Sequence, residues 1–265
     1  MFTFELEHTD GLARAGSINT DHGEIRTPVF MPVATQGSVK ALDPTDLQTL
    51  GAQIVLGNAY HLYLRPGSQE IKEFGGLHSF MNWPKPILTD SGGFQGFSLQ
   101  HLRKINPNGI TFKSHIDGSS HELTPESVIQ IQKEIASDII MPLDVCLSPE
   151  ASKTDFVEAM HLTSNWLNRS INYRNDSSSQ ALFGIVQGGL HADLRKESAH
   201  ELSDYDLPGY SIGGLSVGET KEEMYPIVEI TSKFLPLSKP RYLMGVGSPE
   251  AVSYTHLTLP TILLV

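Results

Sequence analysis

Leu182-Phe183-Gly184-Ile185-Val186-Gln187 passes through five apolar or side-chain-free positions and stops on a carboxamide. A strand with one wet face alternates apolar with polar residues. A run without a polar break fits a strand covered on both faces, as parallel strands are when helices pack on either side. The same form recurs at Val29-Phe30-Met31-Pro32-Val33, Ile54-Val55-Leu56-Gly57-Asn58, Ile87-Leu88-Thr89-Asp90, Ile139-Ile140-Met141-Pro142-Leu143-Asp144, Tyr210-Ser211-Ile212-Gly213-Gly214 and Tyr242-Leu243-Met244-Gly245-Val246. Helical patterns lie between most of these runs. Thr124-Pro125-Glu126 offers an N-cap, a proline at the first helical position and an early acid. Thr220 and Glu223 have capping-box spacing, and Phe156, Met160, Thr163, Leu167 and Ile171 share one helical stripe. Strand-then-helix units in this number predict an α/β fold of the TIM (β/α)8 type, one strand short of closing. An open doubly wound sheet is the other arrangement that fits. Its glycine-rich phosphate turn is missing after the first strand, where Ala34-Thr35-Gln36-Gly37 stands.

Outside this rhythm, Phe2 to Leu6 and Ala13 to Ile18 read as strands, with turns at Asp10-Gly11 and Asp21-His22-Gly23. They predict a small antiparallel layer ahead of the barrel. Ile110 to Lys113 and His121 to Leu123 flank Asp117-Gly118 and predict an inserted β-hairpin, and Ser177-Ser178-Ser179 reads as a loop. A length of 265 residues suits one large domain, and 39% apolar with 18% charged residues suits a globular chain with a sizeable core. One cysteine, Cys146, excludes a disulfide framework; it reads as a buried inert thiol or as a nucleophile. No apolar run reaches membrane-spanning length and the N-terminus lacks a leader pattern, so a cytoplasmic protein is expected. The net charge of −11 argues against loose, non-specific nucleic-acid binding but not against a specific RNA partner.

In a barrel the C-terminal strand ends share one mouth. Here they bring Asn58, Asp90, Asp144, Gln187, Gly214-Leu215 and Gly245 together. The stretch Asp90-Ser91-Gly92-Gly93-Phe94-Gln95 adds a hydroxyl, bare backbone N–H groups and a ring; it reads either as a ligand pocket or as a helix cap with its turn. A carboxylate accepts paired N–H bonds, a carboxamide donates and accepts, and a glycine N–H donates. Asp144, Gln187 and Gly214 thus complement a guanine-like edge, with Phe94 and Met244 on its faces. A sugar or an amide also fits this chemistry.

The resemblance is narrower. Thr89-Asp90-Ser91-Gly92-Gly93-Phe94-Gln95 closely resembles the signature of bacterial tRNA-guanine transglycosylases (queuine tRNA-ribosyltransferases). So do Gly51 to Leu62, Leu64-Arg65-Pro66-Gly67, Ala181 to Gly188, Gly213 to Glu219 and Lys239 to Gly247, in the family's order and spacing. The resemblance implies a (β/α)8 barrel that exchanges guanine at the wobble position of a tRNA anticodon for 7-aminomethyl-7-deazaguanine, through a covalent RNA–aspartate intermediate. It implies that Asp90 is the proton acceptor, that Ser91, Gly92, Gly93 and Phe94 wall the pocket, and that Asp144 and Gln187 read the base edge. Gly214 would supply an N–H, the Leu215 carbonyl would accept from the aminomethyl group, and Met244 would stack on the base. Val217 matches the bacterial pattern. Gly245, Val246, Gly247, Ser248, Pro249, Glu250 and Ala251 correspond to an RNA-contacting stretch. A homodimer and one structural Zn²⁺ per subunit are further implications.

The resemblance stops near Val252. Residues 1–252 read as the catalytic barrel and 253–265 as an unrelated tail, an artefact of joined sequence or a frameshifted ending. Ser253 to Val265 holds no aspartate, arginine or cysteine, so the family's nucleophile, RNA-reading arginine and three-cysteine, one-histidine zinc site have no counterpart. The expectation is a barrel without its eighth strand or zinc subdomain, and an inactive, aggregation-prone chain. Two other readings stay open. One is a glycosidase using Asp90 and Asp144, against which only two tryptophans are available for sugar stacking. The other is a non-catalytic base- or RNA-binding subunit.

Overall fold

The computed structural model describes residues 1–93, 103–174, 179–252 and 262–264. No helix among the described residues is long and apolar enough to cross a membrane. The chain opens with three antiparallel strands, β1 (Thr3–Asp10), β2 (Ala13–Thr20) and β3 (Gly23–Thr27), turning where the Asp-Gly and Asp-His-Gly signals predict. The inner face of this layer, Ile18 and Ile25, is wholly buried in one cluster with Met31, Phe183 and Tyr242. Phe2 meets Phe183 edge-on with ring centres 5.7 Å apart. The layer therefore closes the N-terminal end of the barrel.

The barrel follows. Its first strand is split by Pro32 into β4 (Val29–Met31) and β5 (Val33–Ala34). Then come α1 (Pro44–Thr49), β6 (Val55–Asn58), α2 (Ala59–Leu64), α3 (Ser68–Glu73), α4 (Leu77–Met81) and β7 (Ile87–Asp90). An inserted antiparallel sheet holds β8 (Arg103–Asn106), β9 (Gly109–Lys113) and β10 (Ser120–Leu123), so the expected hairpin gains a third strand, β8. After it come α5 (Pro125–Ile135), β11 (Ile139–Ile140), α6 (Lys153–Arg174), β12 (Ala181–Val186), α7 (Ala192–Ser203), β13 (Gly209–Ile212), α8 (Lys221–Lys233), β14 (Arg241–Leu243) and β15 (Ile262–Leu264). Capping boxes form at Asp43–Asp46, Thr124–Ser127 and Thr220–Glu223, so three helices start where a side chain takes up their free N–H groups.

The strands run in the order β4-β15-β14-β13-β12-β11-β7-β6-β5, with every adjoining pair parallel. Because β4 and β5 are halves of one strand, the two ends of that order meet and the sheet closes. All six residues of β12 are buried, as its unbroken apolar run requires. β11 is shorter than its run. Gln132 of α5 accepts from the Met141 N–H at 3.0 Å and donates to the Met141 carbonyl at 2.7 Å, and Pro142 has no N–H to give. Asp144 therefore stands on irregular backbone beyond the strand.

The eighth position departs from the sequence reading. The seven expected strands are present, and the place left open beside β14 is filled by residues of the tail. Ile262 and Leu263 pair with Tyr242 and Leu243, and Ile262, Leu263 and Leu264 pair with Val29, Phe30 and Met31. Two exposed parallel edges demand backbone partners, and a short apolar segment with free N–H and C=O groups meets that demand whatever its origin. Deleting residues 261–265 is expected to reopen both edges, lowering the urea midpoint and raising the mass seen in light scattering. An unchanged midpoint and mass would show that β15 contributes nothing.

Candidate functional site

The open mouth encloses a cavity of about 430 Å³. Each wall is the end of a strand. β6 ends on Asn58, whose side chain does two jobs. Its Oδ1 accepts from the His61 N–H at 3.0 Å, capping α2, and its Nδ2 donates to Asp90 Oδ2 at 2.8 Å. β7 ends on Asp90, whose Oδ1 accepts the N–H groups of Ala59 and Gly92, both at 3.2 Å. Ser91 donates from Oγ to Asp144 Oδ1 at 3.2 Å. Gln187, one residue past β12, donates from Nε2 to Asp144 Oδ2 at 2.8 Å. Asp144 is thereby fixed from both sides while its carboxylate borders the cavity.

Two glycines are dictated by close approach. A Cβ on Gly93 would stand 2.2 Å from Asp144 Oδ1, and one on Gly214 would stand 2.4 Å from Gln187 Oε1. Gly214 also sits at φ +63°, in the left-handed region that glycine occupies without strain.

The electrostatics separate the two carboxylates. Removal from water, reinforced by the neighbouring Asp144 charge, pushes Asp90 up to about 7, against the opposing pull of its bonds from Ala59, Gly92 and Asn58. Tyr242 forms part of the cavity floor, and its phenol is raised well above its usual value by burial and by both carboxylates, so it stays protonated. Because the folded state holds the Asp90 proton more tightly than the unfolded chain does, this group's contribution to stability falls as pH rises from about 4 to about 7 and is level above that. Asn58→Ala removes a donor to the ionised form. It is expected to move the Asp90 titration upward, read as a matching shift in the pH dependence of ligand binding. An unmoved profile would mean that Asn58 serves only the helix cap.

Among the sequence-derived site residues, Asp90, Ser91, Gly93, Asp144, Gly214, Leu215, Met244 and Gly245 line the cavity. Gly92 holds Asp90 through its N–H. Gln187 lies behind Asp144, 4% exposed, and acts on it directly. Phe94 lies outside the described residues. In the stretch 245–251, Val246 and Ala251 are buried in the core, Ser248 caps the short turn that follows, and Glu250 is paired with Lys221. The surface positions of that stretch are Gly245, Gly247, Ser248, Pro249 and Glu250.

Sequence reasoning passed over Arg195. It stands on α7 with no exposed surface. Nε donates to Gly189 O at 2.7 Å, Nη1 to Val186 O at 3.1 Å and Gly213 O at 2.6 Å, and Nη2 to Gly214 O at 3.2 Å. Burial lowers its pKa to about 10, so the guanidinium remains charged at neutral pH. The signal was present: Arg195 shares the buried face of α7 with Leu194, Ser198, Ala199 and Leu202, where an unpaired cation has no place. Zinc of the three-cysteine, one-histidine kind does not fit the residues present. The chain has one cysteine, Cys146, buried at the cavity wall.

The family model described as queuine tRNA-ribosyltransferase matches residues 9–255. A queuine tRNA-ribosyltransferase of Herpetosiphon aurantiacus is 58% identical over 249 residues, covering 94% of this chain and 63% of that protein. One from Dictyoglomus turgidum is 57% identical, covering 90% and 62%, and one from a Ruegeria species is 52% identical, covering 95% and 67%. The chain thus spans somewhat under two thirds of the length of the first two.

Proposed function

Since the chain belongs to the queuine tRNA-ribosyltransferase family, we propose that its mouth binds guanine and a 7-deazaguanine for base exchange in tRNA. The observation that carries this reading is the Asp144 carboxylate, clamped by Ser91 and Gln187 and turned to a cavity of about 430 Å³. A clamped carboxylate accepts the paired N–H and NH₂ donors of a guanine edge side by side, which is a charge-assisted arrangement. Gln187 sets the position of that carboxylate and keeps its own oxygen beside Gly214. The Leu215 backbone borders the same space and supports recognition of an aminomethyl group by a carbonyl. Met244, with its polarizable sulfur, supports stacking on one face of the base.

Asp90 serves as the proton acceptor. A carboxyl group poised at about 7 is partly ionised at neutral pH, ready to take a proton from a base N–H and to return it. The guanine of a tRNA loop must leave its stack to reach this depth, so RNA is the partner and the base its inserted part. The residues present account for base capture and proton transfer. A base-binding chain without exchange activity is the second reading, since base capture alone draws on the Asp144, Ser91 and Gln187 bonds.

Two measurements on the full chain separate these readings. Calorimetry with guanine and with 7-aminomethyl-7-deazaguanine tests capture, and incorporation of labelled guanine into tRNA tests exchange. One-to-one base binding with incorporation supports the enzyme. Binding without incorporation supports the capture module. Absence of binding to either base overturns the proposal.

A further inference from the structure

The Asp21-His22-Gly23 turn carries a histidine that the base pocket does not use. It lies at the end of the barrel opposite the mouth. His22 on the β2–β3 turn, His78 on α4 and Asp138 just ahead of β11 converge there from three separate parts of the chain. The His22 Nδ1–H donates to Asp138 Oδ1 at 2.7 Å, and the His78 Nε2–H donates to Asp138 Oδ2 at 3.1 Å. The two imidazoles stack with centroids 3.5 Å apart and planes 15° from parallel. Asp138 is buried, and its Oδ2 also accepts the Ile87 N–H at 2.8 Å. Among the described residues, the ion pairs within reach of Asp138 are these two histidines, with no lysine or arginine.

A buried carboxylate of this kind requires a positive charge close by. The donor atoms all lie within 4.8 Å of one another. A tetrahedral metal with bonds of about 2.0–2.1 Å needs donors about 3.4 Å apart, and His22, on a hairpin tip with its side chain 39% exposed, is free to close that difference. Beside the cluster lies a cavity of about 500 Å³, bordered by Asp21, His22, Lys133, Asp138 and Arg174, with room for water at a remaining coordination position. We propose that His22, His78 and Asp138 form a divalent transition-metal site of the zinc type, which staples the N-terminal sheet to the floor of the barrel. On metal entry, each imidazole shifts its proton to the other ring nitrogen and offers its freed lone pair, while the carboxylate supplies the charge. This site is independent of the base pocket and of any cysteine.

The test uses the full chain stripped with EDTA and titrated with Co²⁺, then with Zn²⁺ in competition. One tetrahedral d–d absorption band per chain is expected, displaced by Zn²⁺, together with a rise in Tm of about 5 °C at saturating metal. His22→Ala, on a half-exposed turn, should leave the metal-free Tm near that of the parent and weaken Co²⁺ binding by tenfold or more, as should Asp138→Asn. Co²⁺ binding that is equal in parent and His22→Ala, or no band at all, overturns the proposal. So does an imidazolium signal from His22 or His78 at neutral pH that added Zn²⁺ leaves unchanged, because a proton would then supply the compensating charge.

Discussion

Asp144→Ala is expected to weaken guanine binding by a hundredfold or more. The substitution removes the acceptor of two adjacent N–H donors. Charge-assisted bonds contribute about 1.5–3 kcal/mol each, so losing two costs about 3–6 kcal/mol, or roughly 10² to 10⁴ in affinity. Asp144→Asn refines the test. The amide retains the shape and one acceptor oxygen, so it still meets Ser91 or Gln187, but it presents an N–H₂ where the base also presents a donor. A loss of about ten- to a hundredfold is expected from it. Calorimetric titration with guanine reads both, and thermal unfolding of the same samples confirms that the scaffold is intact. A loss below fivefold in Asp144→Ala would place the base elsewhere in the cavity.

Arg195→Ala is expected to be the most destabilising single change on the barrel wall, at about 3–5 kcal/mol. The guanidinium satisfies four carbonyl oxygens, two of them on the Gly213-Gly214 peptides that border the mouth. Removing it takes a donor from each of these carbonyls, three of which it meets in buried bonds, while Val186 O keeps the Gly213 N–H. Arg195→Lys should recover only part of the loss, since one ammonium cannot span acceptors spread from Gly189 to Gly214. Urea unfolding measures the stability. A change under 1 kcal/mol would show that water replaces the guanidinium. Base affinity should fall along with stability in Arg195→Lys, because Gly214 and Gln187 are packed against each other.

Much of this was readable along the chain. Unbroken runs such as Ala181–Val186 announced strands covered on both faces, because each residue in them lacks a polar group that would need water. Thr124 and Thr220 announced helix starts, because capping is a local transaction between a side chain and an N–H three residues on. Asp90 and Asp144 stood out because ionisable residues at the ends of buried runs need partners. What was not readable depended on distant segments meeting. β11 stops at Ile140 because Gln132, on the preceding helix, takes the Met141 peptide. β8 joins the inserted sheet through β9, a pairing that its own residues do not signal. Arg195 is hidden from sequence inspection because its partners are carbonyl oxygens, which every residue carries.

The sequence by itself determined the α/β rhythm, the antiparallel layer that precedes it, and which residue types reach the mouth. Burial and capping are written residue by residue in polarity and spacing. Only the tertiary structure decided that Gln187 serves Asp144, that Asp90 lies near neutrality in its titration, that His22, His78 and Asp138 share one end of the barrel, and that Ile262–Leu264 closes the sheet. Each of these depends on distances between groups far apart in the chain, and on the loss of water around them, which no local pattern encodes.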